Sequence, residues 1–274
     1  MSSLLPHRSK LADSIKRLNH VKSFRPRIAL QELESGVYDS LVSGKIDPSK
    51  WTILSFPMGD GQTWTWAEPN AKIGPMNGGL GITVDPFTRK HDKIHMFDDP
   101  KQLYGSTRTF PVSPDRPTVF EVEMGAETYR SNAEDLQDAF AGFILMDFST
   151  GMIFDFITTG KKIGAIYERL LIPGVTDETT AFTHVIESPF IGVNTSPQKL
   201  HKYSVRIDAA NDKAEWFVDG KRFFKAEGVP VEPKGIMMGF GLFTLKPPDP
   251  AKGSVSVHGQ GATGIWKNFR YLVK

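Results

Sequence analysis

From Trp51 onward, hydrophobic and polar positions alternate with a period of two, and Gly, Pro, Asn and Asp interrupt the alternation at short intervals. The pattern predicts strands over residues 51–56, 63–67, 80–84, 93–97, 107–110 and 118–125. A second set covers 139–148, 152–158, 162–172 and 183–187, and a third 202–208, 214–218, 221–225, 236–244, 254–258 and 265–273. Helical spacing is confined to Leu11, Ile15, Leu18 and Val21, which predict a helix over 11–21, and to short turns at 39–42 and 133–138. No repeat of fixed period is present, which argues against a propeller or a solenoid.

So many strands with long return connections predict an all-β protein: two stacked antiparallel sheets after a short helical N-terminal segment. The expected core contains Phe148, Phe154, Phe156, Trp216, Phe217 or its neighbour Val218, Phe240 and Leu242. The 274 residues include 19 Phe and 5 Trp, enough bulk for one large core, so residues 31–274 are read as a single domain behind a segment of 30.

The C-terminal third carries a resemblance. Ala214-Glu-Trp-Phe-Val-Asp-Gly-Lys-Arg-Phe-Phe is a hairpin with Asp219-Gly220 at its tip. It follows Lys202-Tyr-Ser-Val-Arg-Ile-Asp and precedes Ile236-Met-Met-Gly-Phe-Gly-Leu-Phe and Trp266-Lys-Asn-Phe-Arg-Tyr-Leu-Val. Over residues 115–274 this order resembles the concanavalin A-like jelly roll of legume lectins, laminin G modules and glucanases. Gly59-Asp-Gly-Gln-Thr-Trp-Thr-Trp, Asp85-Pro-Phe-Thr-Arg-Lys-His-Asp and His258-Gly-Gln-Gly are also similar to a family of uncharacterised microbial proteins. The resemblance implies a jelly-roll β-sandwich, and glucanases of that class carry Glu-x-Asp-x-Glu on one strand. This chain lacks that run. Glu121-Val-Glu123 comes nearest, and its alternation with Phe120, Val122 and Met124 places both acids on a solvated face.

Charge changes the picture at one end only. The chain balances to +2, too little to collect nucleic acid, but residues 1–30 hold seven Lys or Arg against one acid. Their balance of +6 leaves −4 for the remainder. This basic amphipathic stretch either packs its aliphatic stripe on the main domain, the favoured reading, or touches a membrane surface. There is no cysteine, hence no disulfide and no thiolate metal site, and no apolar run long enough to span a bilayer. A cytoplasmic protein is expected.

The candidate chemistry centres on residues 140–169. A turn at Ser149-Thr-Gly151 pairs Phe148 with Met152 and sets Asp147 and Asp155 on one sheet face as diagonal neighbours, with Tyr167 and Arg169 beside them. Two close carboxylates on an apolar sheet divide into proton donor and acceptor. A one-residue slip of the next strand would instead bring Glu168 to that face. The alternative is structural: Asp147 stabilises its turn and Asp155 pairs with Arg169.

His258, in a glycine-rich loop, is a further catalytic candidate. His91 and His95 stand about 13 Å apart on a strand and share no metal. Trp64 and Trp66 alternate onto one face, suited to stacking on a sugar or another flat ligand, and equally to packing. Asp60 between glycines reads as a turn, Gly74–Gly81 as a loop, and His184 as a core or rim residue. No metal and no cofactor are expected. The leading reading is an acid/base enzyme acting on a small organic substrate by cyclisation, isomerisation, hydration or hydrolysis. A glycan-binding or glycan-cleaving protein is the alternative, and a non-catalytic interaction or membrane-surface protein the third.

Overall fold

The two-residue alternation folds into two antiparallel sheets. The computed structural model describes residues 36–57, 61, 63–89, 101–172, 174–246 and 258–274. In chain order its strands begin with β1 (Gly36–Asp39), β2 (Trp51–Ile53), β3 (Ser55–Pro57), β4 (Thr63–Thr65), β5 (Lys72–Met76) and β6 (Gly79–Val84). The middle set is β7 (Lys101–Ser106), β8 (Phe110–Pro111), β9 (Thr118–Tyr129), β10 (Phe140–Asp147), β11 (Met152–Thr158) and β12 (Ile163–Arg169). The last are β13 (Phe182–Glu187), β14 (His201–Asp208), β15 (Lys213–Val218), β16 (Lys221–Glu227), β17 (Gly235–Phe243) and β18 (Gly261–Val273).

One sheet runs β16-β15-β14-β9-β18-β6-β5, with β1 added beside β18. The other runs β13-β12-β11-β10-β17-β7-β2, with β8 beside β17, and β3 and β4 form a separate hairpin. The expected helix over 11–21, the strand over 93–97, His91, His95 and Asp60 lie outside the described residues, as do residues 254–257.

Three expectations are corrected. Residues 74–81 form not a loop but the β5–β6 hairpin, whose Asn77-Gly78 tip takes positive φ at both residues (47° and 74°). The strand expected at 107–110 lies earlier, at β7, with Phe110 opening β8. Residues 39–42 close β1 and enter a turn, and 133–138 form turns without a helix.

Between the sheets lies an aromatic core in which Phe143, Phe154, Phe156, Trp216, Phe240 and Trp266 are fully buried. Phe217 is only partly buried and Val218 takes the core position. Both central tryptophans come from the first sheet and donate across the interior to backbone carbonyls of the second. Trp216 Nε1 bonds to Asp155 O (3.2 Å) and Trp266 Nε1 to Gly142 O (3.1 Å). A smaller apolar cluster, containing Phe140, Ile144, Met146, Ile153, Ile157, Ile166 and Met237, covers the opposite face of the second sheet.

On that face β17 places Gly239 and Gly241 where side chains would otherwise stand. A Cβ on Gly241 would collide with the carbonyl oxygen of Gln102 in β7. Gly241→Ala is therefore expected to force β17 from β7 and to cost about 1–3 kcal/mol, read as a lowered Tm. A Tm equal to that of the parent would show that the two strands have room to adjust.

Candidate functional site

The β10–β11 connection decides which acids meet. The register pairs Asp147 with Met152 and Met146 with Ile153, one residue away from the expected pairing of Phe148 with Met152. The cause is Asp147 itself. Its Oδ1 accepts the Ser149 N–H (2.8 Å) and hydroxyl (2.6 Å), and its carbonyl accepts Gly151 N–H (2.8 Å). The turn thus starts at the Asp, as side-chain-nucleated turns do, and Gly151 closes it at φ 77°. Phe148 is expelled to the turn and is 52% exposed, not a core residue.

This register sends the two acids to opposite faces. Ala141, Phe143 and Leu145 join Phe154 and Phe156 in the inter-sheet core, so Asp147 follows them on the inner side. Asp155 stands between Ile153 and Ile157 on the outer side. The proposed Asp147–Asp155 pair does not exist. Asp147 holds the turn and, through Oδ2, the N–H of Lys234 (2.8 Å). Tyr167 is also inward, packed on Phe154 and Trp216, and burial pushes its hydroxyl up to about 12. Arg169 donates from Nε to Thr150 O (3.2 Å), clamping the same turn instead of facing Asp155.

The outer face brings other residues together. Ile153 pairs with Glu168 and Asp155 with Ile166, so Asp155 and Glu168 are diagonal neighbours with Cβ atoms roughly 7 Å apart. Asp155 is buried. Between the Phe143/Phe156 and Met146/Ile153 pairs the ladder opens, and there Asp155 Oδ1 accepts the Leu145 N–H (2.8 Å). Burial holds its carboxyl well above the ordinary range, opposed by that hydrogen bond and assisted by the nearby Glu168 charge. Burial also raises Glu168, against the Thr183 hydroxyl bonded to its Oε1 (2.6 Å) and the ammonium of Lys101.

Lys101 alternates with Leu103 onto the same outer face, four inter-strand steps from β12, and its charge favours the ionised form of Glu168. Lys101 also lies 5.4 Å over the Trp66 ring, and Trp66 packs against the apolar floor. Trp64 is engaged elsewhere, under the Arg89 guanidinium at 4.2 Å. The floor is covered in its middle but opens toward β13, where Val185 is exposed.

His258 belongs to another region. Its Nε2 meets Asp138 Oδ1 at 2.7 Å, and Asp138 Oδ2 accepts Asn132 N–H (2.7 Å), tying two loops before β10 and β18. Asp138 lies six residues along the chain from the level of Asp155, roughly 20 Å. His184 is an exposed rim residue beside Tyr167 and Phe182. Among the described residues no group of three or more His, Cys, Asp or Glu is placed to hold a metal ion, and no helix is long and apolar enough to cross a membrane.

Two outcomes test this assignment. Asp147→Ala removes the turn acceptor and strands the Lys234 N–H, a loss of about 1–3 kcal/mol that lowers Tm. For Asp155 the folded state holds a proton more tightly than the unfolded chain, so unfolding releases it and stability falls as pH rises above the ordinary carboxyl range. Asp155→Asn keeps an acceptor for Leu145 and abolishes that slope. Its Tm advantage over the parent should grow as pH rises above the ordinary carboxyl range; a difference constant with pH would overturn the assignment.

Comparison with solved structures agrees with the architecture. An endo-β-1,3-glucanase from Pyrococcus furiosus is 12% identical over 87% of this chain and 94% of its own, with a TM-score of 0.54. The catalytic domain of a laminarinase from Thermotoga petrophila RKU-1 is 16% identical over 87% and 98%, at 0.52. A Crh5 transglycosylase is 14% identical over 87% and 84%, at 0.51. At these identities the likeness is one of fold, and the fold is the concanavalin A-like jelly roll. Among curated proteins nothing matches the sequence. The chain belongs to a family of unknown function, DUF6081, whose model matches residues 46–273.

Proposed function

We propose that this protein is a cofactor-independent acid/base catalyst that binds a small, largely apolar organic substrate on the outer face of the β10–β11–β12 sheet. The observation that carries the reading is the placement of Asp155 and Glu168 side by side on an apolar floor of Ile144, Met146, Ile153 and Met237. Small-molecule sites are typically apolar clefts with a few convergent polar groups, and acids with perturbed ionisation mark candidate sites. Asp155, the more deeply buried, is the proton donor. Glu168, whose charge Thr183 and Lys101 support, is the acceptor.

Donating from one carboxyl and accepting at the other leaves the substrate's proton count unchanged, which suits isomerisation or cyclisation. A turnover ends with Asp155 ionised and Glu168 protonated. Diagonal neighbours then restore the starting state by passing that proton back, directly or through one water. Trp66, which packs against the same apolar floor with the Lys101 ammonium over its ring, supplies a flat wall.

A glycan is the second reading. It rests on the fold, because the similar solved structures include a laminarinase and a transglycosylase by name, and on the two carboxylates that glycoside hydrolysis employs. The aliphatic floor favours the first.

Titration with 8-anilinonaphthalene-1-sulfonate, an apolar anion, and with laminari-oligosaccharides separates the two readings. Fluorescence enhancement and a raised Tm with the naphthalene probe, lost on Met146→Asp, are expected; a raised Tm with the oligosaccharides alone would favour a glycan. Once a substrate is found, Asp155→Asn and Glu168→Gln should each reduce kcat by about 10²–10⁴. Full turnover in both would end the acid/base reading.

A further inference from the structure

The opposite side of the molecule carries a second surface, independent of the face that holds Asp155 and Glu168. Two depressions on the outer side of the β14–β9–β18 sheet, of 270 and 380 Å³, share Glu121 and Lys202 and merge into one furrow. One origin is a β-bulge: the β18–β9 register shifts between Lys267 and Arg270, where Asn268 takes φ 59°. The bulge leaves the Val122 backbone at the bottom of the smaller depression.

In the lining, the side chains of Lys202 and Arg206 are 49% and 41% exposed; Glu121, 7% exposed, pairs with Lys202 at 2.9 Å, and Glu123, 35% exposed, with Lys267 at 3.2 Å. Beside the furrow Arg222 is 60% exposed over Glu215, which is 7% exposed. Glu215 is approached by three cations, Lys213 at 3.6 Å, Arg206 at 3.7 Å and Arg222 at 3.5 Å. One carboxylate balances one of them, and Asp208, 3.8 Å from Arg206, a second. Arg270 lines the furrow as well. Across the two depressions Lys202, Arg206, Arg270 and Lys274 stand against Glu121 and Glu123, a cationic excess of two side chains on a body that carries −4 over residues 31–274.

We propose that this furrow binds an acidic polysaccharide chain. Lys202 and Arg206 lie four residues apart on β14, about 13 Å, too far for one small anion and suited to successive acidic groups of a chain. The recessed carboxylates accept hydrogen bonds from hydroxyls, and Ser204 offers both a donor and an acceptor. Phe217 provides a ring for the apolar face of a sugar. A nucleic acid fits less well. Its phosphates recur every 3.4 Å or so along each strand and would meet Glu121 and Glu215. Single strands also bind on successive aromatic platforms, whereas the furrow lining includes one. A flat anionic membrane would touch the rim without reaching the recessed groups.

The test is affinity electrophoresis of the full chain through gels containing polygalacturonate, neutral dextran or no polymer, at an ionic strength of about 0.1 M. Retardation by polygalacturonate alone is expected. Arg206→Ser combined with Arg270→Ser should weaken it by about tenfold, with Tm unchanged because Glu215 keeps Lys213 and Arg222. The Lys/Lys version should retain most of the binding, and Glu168→Gln all of it, which separates this site from that of Asp155 and Glu168. Absence of retardation, equal retardation by dextran, or tighter binding of an oligothymidylate in anisotropy measurements would each overturn the proposal.

Discussion

Two indole N–H groups cross the interior and constrain nearly everything described above. A buried Trp must place its donor, and in this sandwich both central donors find backbone carbonyls of the facing sheet. Each bond fixes the spacing and relative position of the two layers at one point. The bond from Trp216 also takes the carbonyl of Asp155 at the place where the β10–β11 ladder opens. Within that opening, Leu145 N–H has the Asp155 carboxylate as its acceptor. A core-packing requirement on one side of the sheet thus fixes a carboxyl group on the other.

This coupling explains the outer face of the second sheet. Asp155 sits among Ile153, Ile157, Ile144 and Met146 because strand alternation puts it there, and the gap in the ladder gives it a backbone partner. The desolvation that raises its pKa comes from the same aliphatic floor. Lys101, on the same outer face, adds its charge to the surroundings of Glu168. Outside this region the two sheets differ in their outer faces. One is apolar with a few ionisable groups, the other a lattice of ion pairs over recessed carboxylates.

The strands were legible because period-two alternation and turn residues survive without any tertiary context. Residues 152–158 coincide with β11, and the hairpin through Asp219-Gly220 has its tip where the sequence places it. Register was not legible at β10–β11, since Asp-Phe-Ser-Thr-Gly accommodates a turn beginning at either of two residues. The missed signal was Asp147, whose side chain nucleates the earlier turn. That single step reversed the faces of β10, removed Phe148 from the core and separated Asp147 from Asp155. β7 was missed because Lys-Gln-Leu-Tyr-Gly-Ser lacks β-branched residues, and its pairing with the glycine-rich β17 is a tertiary effect. Lys101 had no claim to the site beforehand because it opens that unrecognised strand, four inter-strand steps from β12.

Of the two acids, Glu168 is the more telling. Asp155 has a structural duty toward Leu145, and an Asn would discharge it without a buried charge. Among the described residues Glu168 bonds the exposed Thr183 hydroxyl on the edge strand. Its charge is disfavoured by burial and in turn makes Asp155 harder to ionise. On stability alone an aliphatic residue at 168 would extend the floor formed by Ile166 and Ile153 and relieve both penalties. A half-buried carboxylate beside a second one is the feature on which the proposed acid/base reading rests.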